Sequence, residues 1–221
     1  GLDWARWVFW ASRIKKSPAQ AYQDYYKGII QRYADKGIRS LIILHQDTYW
    51  GNAPWDNGGW EAYAKQFGEQ CGQVAAACSE FGDMVAYQIY NVQDSSPANK
   101  SAIGFAASHY ALVLDNASKA IRANHPGAKV IFGGLMDAPE KGVQYVRDTR
   151  KALGGRLPVD ALAIHPYGRS AKPSQFGPVG RLADAFNLYK QACPKMPLWI
   201  TEGGVADDNP IGSEHYAGIA N

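Results

Sequence analysis

Six apolar segments of strand length recur along this chain, each followed by a helical pattern. They run roughly over Trp4–Trp10, Ser40–His45, Val85–Asn91, Lys129–Gly133, Ala161–His165 and Leu198–Glu202, at intervals of roughly 30 to 47 residues. A strand that is apolar along its whole length is buried on both faces, which is the condition of a parallel sheet covered by helices. The intervals suit βα units with insertions.

The helical stretches carry their own punctuation. Ser17 and Pro18 read as a cap and a first-turn proline, and Gly37 as the stop. Between them Tyr22, Tyr25, Ile29, Ile30 and Tyr33 recur on one face. A second apolar stripe is Phe67, Cys71, Val74, Cys78 and Phe81. A third, in the helix after Asn99, is Ile103, Ala107, Tyr110, Leu114, Ala117 and Ile121; Leu182, Phe186 and Tyr189 mark a fourth. No low-complexity stretch or linker interrupts them, so residues 1–221 read as a single domain, a segment of a longer chain.

Six strands admit two architectures. A doubly wound open sheet tolerates six, but no Gly-rich phosphate loop follows the first strand. A (β/α)8 TIM barrel needs eight strands and typically ~250 residues. If Val92 ends the fourth barrel strand and Glu202 the seventh, the remaining segments fall into register, with the first and last strands lacking in this chain. The expectation is that truncated barrel.

Composition narrows the function classes. Hydrophobic residues make up 46% of the chain and charged residues 19%, as in an ordinary soluble globular protein. The net charge is only +3 and no Lys/Arg stripe forms, so a nucleic-acid partner is not indicated. The apolar stretches are too short to span a membrane. Cys71 and Cys78 lie seven apart in a helical pattern, which puts their Cα atoms ~10 Å apart and beyond disulfide reach. They read as buried free thiols, and Cys193 has no evident partner. With no CxxC or His/Cys cluster, neither a metal nor a cofactor is called for.

In a parallel barrel the chemistry gathers at the C-terminal ends of the strands. Those ends offer Arg6, Trp10, Ser12 and Arg13; then His45, Gln46, Asp47, Tyr49 and Trp50; then Asn91, Gln93 and Asp94; then Asp137; then His165 and Tyr167; then Glu202. These groups bind hydroxyls and move protons. No serine elbow or P-loop stands among them. Glu202 is the sharpest: Met196–Thr201 delivers it straight into Gly203-Gly204. His45 and Asp47 lack a clear third metal ligand, and hydroxyl binding suits them better; a metal-dependent hydrolase using His45, Asp47 and His165 is the weaker reading. Tyr49, Trp50, Trp55 and Trp60, in the loop after the second strand, read equally as a sugar platform or as packing against the barrel.

Four pieces carry a resemblance: Trp4-Ala5-Arg6-Trp7, Tyr87-Gln88-Ile89-Tyr90-Asn91, Ala163-Ile164-His165-Pro166-Tyr167 and Trp199-Ile200-Thr201-Glu202. In this order they resemble the clan A glycoside hydrolases, retaining barrel enzymes, and within them the β-xylosidase and α-iduronidase-like branch. The resemblance implies an oligo- or polysaccharide partner and an extracellular or cell-surface setting. It makes Glu202 the nucleophile and has Asn91 hold the sugar 2-hydroxyl. Tyr167 would orient the nucleophile, His165 would line the sugar subsite, and Arg6 would be the counter-charge to Glu202; His45 and Trp50 join the candidate substrate-binding residues on their own chemistry. It also exposes a departure. The acid/base glutamate expected directly after Asn91 is Val92, which cannot donate a proton. Three explanations follow: a disarmed enzyme, Asp94 as substitute acid, or a catalytically silent carbohydrate-binding barrel.

Overall fold

The computed structural model describes residues 2–51, 59–95, 103–136, 138–168 and 182–205. The chain alternates as expected: β1 (Trp4–Val8), α1 (Pro18–Ala21), α2 (Lys27–Ala34), β2 (Arg39–Leu44), α3 (Trp60–Cys78), β3 (Val85–Asn91), α4 (Ala107–Asn124), β4 (Lys129–Leu135), α5 (Pro139–Ala152), β5 (Ala161–Ile164), β6 (Tyr167–Gly168), α6 (Leu182–Ala192), β7 (Leu198–Ile200) and β8 (Gly204–Val205). Six strands form one parallel sheet in the order β1-β2-β3-β4-β5-β7, and β6 pairs with β8 in a small second sheet. The strands follow chain order with a helix crossing between neighbours, and the sheet curls into a partial TIM barrel.

The two faces of the sheet are filled differently. The outer face and the helices share a large apolar core that includes Ile42, Leu44, Tyr87, Ile89, Val130, Phe132, Leu162 and Ile164, with Phe67, Val74, Val113, Leu114 and Val146 from the helices. Each such side chain contributes roughly 1.5–3 kcal/mol on burial. The inner face is a small cluster of Leu41, Ala86, Ile131, Ala161 and Ala163, joined by Trp4 and Trp199. The curl brings the two edges of the sheet together: the Trp4 ring on β1 meets the Trp199 ring on β7 edge-on, 5.0 Å between centroids. A cavity of about 390 Å³ opens beside them, lined by Arg6, Leu41, Ile200 and Thr201.

Several local expectations hold. The Ser17 side chain accepts the Gln20 N–H at 3.3 Å, and Gly37 has φ +70. Between α1 and α2 the helix widens over Tyr22–Tyr26; Tyr22 and Tyr26 are buried, whereas Tyr25 of the expected stripe is 50% exposed. Cys71, Cys78 and Cys193 are buried free thiols. Others need correction. The first strand ends at Val8, two residues short of Trp10, because past it Ala11 and Ser12 bond the Asp47 carbonyl rather than the strand ladder. The helix of the third stripe starts at Ala107, so Ile103 precedes it. Residues 103–106 instead lie along the loop after β3: Phe105 N–H bonds the Gln93 carbonyl, and a Cβ on Gly104 would stand 2.1 Å from the Ser95 carbonyl. Tyr49 and Trp60 are packing residues, only 3% and 8% exposed, while Trp55 lies outside the described residues. No helix among the described residues is long and apolar enough to cross a membrane.

Candidate active site

Arg6 is the hub. Its position on β1 alternates with Trp7 and points it to the inner face, where the side chain is only 18% exposed. A charge there needs partners, and three bonds supply them: Nη1 to Glu202 Oε1 at 2.7 Å, Nη2 to Asn91 Oδ1 at 2.5 Å and Nε to Gln88 Oε1 at 3.1 Å. Asn91 Nδ2 lies 3.4 Å from the same Glu202 oxygen, and Gln88 Nε2 donates to Asn91 Oδ1 at 3.1 Å. Residues separated by up to 196 positions thus meet at the strand ends. The rigid guanidinium fork sets the geometry between them.

His165 closes the far side of Glu202. It is fully buried, its Nδ1 lies 3.5 Å from Glu202 Oε2, and its Nε2 lies 3.0 Å from Thr201 Oγ1. Burial pushes its pKa down to about 4; the Glu202 charge opposes that shift and Arg6 adds to it. The ring is therefore neutral at neutral pH. Its Nε2 shares a hydrogen bond with the Thr201 hydroxyl, while Nδ1 lies near the carboxylate without hydrogen-bonding it. Its space exists because residue 134 is glycine: a Cβ there would stand 2.1 Å from His165 Nε2.

Asn91 reaches the inner face by a backbone reversal. Ala86 and Gln88 face inward, so strict alternation would send Tyr90 inward and Asn91 outward. Tyr90 instead has φ +68 and packs among Phe67 and Phe105 on the helix side. The β3–β4 ladder is interrupted here, and side chains replace it. The Tyr110 hydroxyl donates to the Ile89 carbonyl at 2.8 Å and accepts the Gly133 N–H at 2.7 Å, while Gln93 Nε2 donates to the Gly133 carbonyl at 3.2 Å. Val92 follows at φ +50, a left-handed conformation that costs a β-branched residue roughly 1–3 kcal/mol.

Of the residues singled out from sequence, Glu202, Arg6, Asn91 and His165 come together. His45 sits beside them, 8% exposed, close enough that the Arg6 charge lowers its proton affinity, although burial is the larger cause of a pKa near 4. Asp94 is engaged elsewhere, its Oδ1 accepting the Met136 N–H at 3.2 Å. Trp50 is 44% exposed and exchanges backbone hydrogen bonds with the Gln70 side chain of α3. The backbone of Tyr167 pairs with Gly204, two residues past Glu202, but its side chain lies outside the described residues, as does Asp137. Among the described residues no three His, Cys, Asp or Glu side chains converge as metal ligands. Sequence reasoning missed Gln88, Thr201 and Gly134. Gln88 had a signal, being the single polar residue inside Val85–Tyr90.

No family profile matches the sequence, and no curated protein resembles it. Solved structures do. The chain superposes on fungal β-1,4-galactanases with a TM-score of 0.67 at 13% identity, covering 92% of this chain and 63% of theirs. A broad-specificity GH5-4 endoglucanase from an uncultured bovine rumen ciliate gives 0.66 at 12% identity, covering 98% and 68%. A thermostable mutant of a xylanase from Cellvibrio japonicus gives 0.60 at 16% identity, covering 84% and 57%. The chain shares the (β/α)8 barrel fold of these glycanase structures and spans roughly three fifths of the galactanase and xylanase structures.

Proposed function

We propose that this domain binds β-linked glycans and belongs to a retaining glycosidase that lacks its general acid. The observation that carries this is the convergence of Arg6, Asn91 and His165 on one carboxylate, Glu202. A carboxylate held by a cation and an amide at a barrel mouth is arranged to attack an anomeric carbon. Glu202 forms the new C–O bond as the glycosidic C–O bond breaks and the leaving group departs with its electron pair. Water then displaces Glu202. Asn91, bonded to both Arg6 and Glu202, is placed to hold the 2-hydroxyl. Residues 1–221 act here as one barrel-type domain of a secreted protein, and the four motifs favour the β-xylosidase and α-iduronidase-like branch.

Val92 can protonate neither the leaving oxygen nor, in reverse, activate the water. General acid–base help is worth about 10²–10⁴ in rate. Natural glycosides should therefore turn over slowly, and aryl glycosides, whose leaving groups need no proton, comparatively well. The test is Val92→Glu on aryl and natural β-1,4-linked substrates of glucose, xylose and galactose. A gain of about 10²–10⁴ on natural substrates establishes the disarmed site. Saturable binding with no turnover by either protein favours the second reading that the missing acid supports, a silent carbohydrate-binding barrel.

A further inference from the structure

The end of the sheet opposite Glu202 carries a cavity of its own. It measures about 510 Å³, within the ~300–1,000 Å³ range of small-molecule sites. It opens where the second half of α4, the C-terminal end of α5 and the segment leading into β5 meet. Asp160, one of its lining residues, directly precedes β5. The cavity therefore lies at the N-terminal end of the parallel strands, whereas Glu202 follows β7 at their C-terminal end.

Four charged residues line it, Asp115, Arg122, Arg156 and Asp160, and their charges do not balance within the fold. Asp160 is neutralised, its Oδ2 accepting Arg122 Nη2 at 3.1 Å and the Val130 N–H at 2.8 Å. Asp115 Oδ2 is paired with Lys119 Nζ at 2.6 Å, one helical turn on. Arg156 is exposed and has no ion pair or hydrogen bond among the described residues. One cation is thus left over, and the chain that carries it is well fixed. Gly154 and Gly155, at φ +71 and +101, turn the chain out of α5 and donate to the Lys151 and Arg150 carbonyls at 3.1 and 2.8 Å. Beyond Arg156, Leu157 and Val159 are buried, and Arg122 Nη2 reaches the Pro158 carbonyl between them at 3.4 Å.

We infer that this cavity binds a hexuronate residue, with the Arg156 guanidinium as the anchor for its carboxylate. A planar guanidinium matches a carboxylate with two parallel hydrogen bonds. The single uncompensated charge selects a monoanion, because Asp115 and Asp160 line the same cavity and repel a phosphate dianion more strongly. Asp115 Oδ1 and Asp160 Oδ1 take no part in the bonds above and are left to accept sugar hydroxyls. Leu153 and Pro158, both half-buried in the lining, offer an apolar surface to the C–H face of the ring. A simple carboxylate would use the guanidinium alone; a hexuronate uses all three kinds of lining. The site takes no part in the chemistry at Glu202 and goes beyond the function proposed above, so the two stand or fall separately.

Calorimetric titration with the methyl glycosides of glucuronate and galacturonate, with methyl β-glucoside and with inorganic phosphate tests it, using the protein and its Arg156→Ala, Arg156→Lys and Asn91→Ala variants. The protein should bind at least one uronide saturably and about 10-fold or more tightly than phosphate. Arg156→Ala should weaken that uronide about 10-fold or more, leave any binding of the glucoside unchanged and, at an exposed position, leave the urea midpoint where it was. Arg156→Lys keeps the charge without the planar fork and should recover only part of the loss. Asn91→Ala should leave uronide binding unchanged. Absence of saturable binding by both uronides overturns the site, as does phosphate binding of equal strength. A loss in Asn91→Ala with none in Arg156→Ala also overturns it and moves the acidic sugar to the barrel mouth.

Discussion

The ends of β3 and β7 face each other across the barrel mouth, yet they are built to opposite effect. At β7 a short strand hands Glu202 to a cation, an amide and a neutral imidazole. At β3 the ladder breaks, two non-glycine residues take left-handed backbone, and the side chain delivered after Asn91 is Val92. Strain is tolerated at β3 because Tyr110 and Gln93 satisfy the backbone groups that the reversal would orphan. On the glycosidase reading proposed above, both ends position a side chain for a catalytic pair, and the end of β3 delivers one that cannot transfer a proton.

The sharpest test of that asymmetry uses azide. An anionic nucleophile needs no general base, so with an activated aryl glycoside it should accelerate release of the glycosyl-enzyme by about 10²-fold or more. The product should be a glycosyl azide of retained configuration, because it arises by two displacements. A product of inverted configuration would remove Glu202 from the nucleophile's role.

Next in size is acid sensitivity on the His165 side of the mouth. Burial lowers the pKa of both His165 and His45 to about 4, against an ordinary ~6.5. As pH falls the unfolded chain takes up these protons first. Stability should therefore be full above ~6.5, decline below it and level off near 4, by about 3 kcal/mol per histidine. Urea unfolding across that range checks this; a flat profile would show that neither ring is held neutral in the folded protein.

A smaller loss should follow Gly134→Ala, whose methyl would meet His165 at 2.1 Å. Overpacking of about 1–3 kcal/mol is expected, read as a lower urea midpoint with an unchanged slope. The smallest effect separates the two ends most cleanly. Val92→Gly relieves left-handed strain of roughly 1–3 kcal/mol and costs about 0.4–1 kcal/mol in unfolded-state entropy. Stability should stay level or rise by up to about 2.5 kcal/mol. A clear loss would mean that Val92 is a packing residue and its backbone relaxed.

Much of this was legible in the chain. Apolar runs with helical intervals implied parallel βα units, because helices in the intervals can cover both faces of such strands. Glu202 stood out since the run before it and the glycines after it are local signals. Arg6 and His165 followed from strand ends. The reversal at Tyr90 was not legible: simple alternation assigns Asn91 to the wrong face, and the Tyr110 hydroxyl that permits the reversal comes from α4, about twenty residues on. Nor could the loop aromatics be sorted, since Trp60 and Trp50 look alike until α3 buries one and leaves the other exposed.

By itself, then, the sequence determined periodicity, which segments are strands and that Val92 follows Asn91, all of which are read within a few neighbouring residues. Only the tertiary structure decided which face each polar group joins and which groups meet. Arg6 and Glu202, 196 residues apart, become partners through the curl of the sheet. The partnership depends on how several strands twist and register together, which no local stretch encodes.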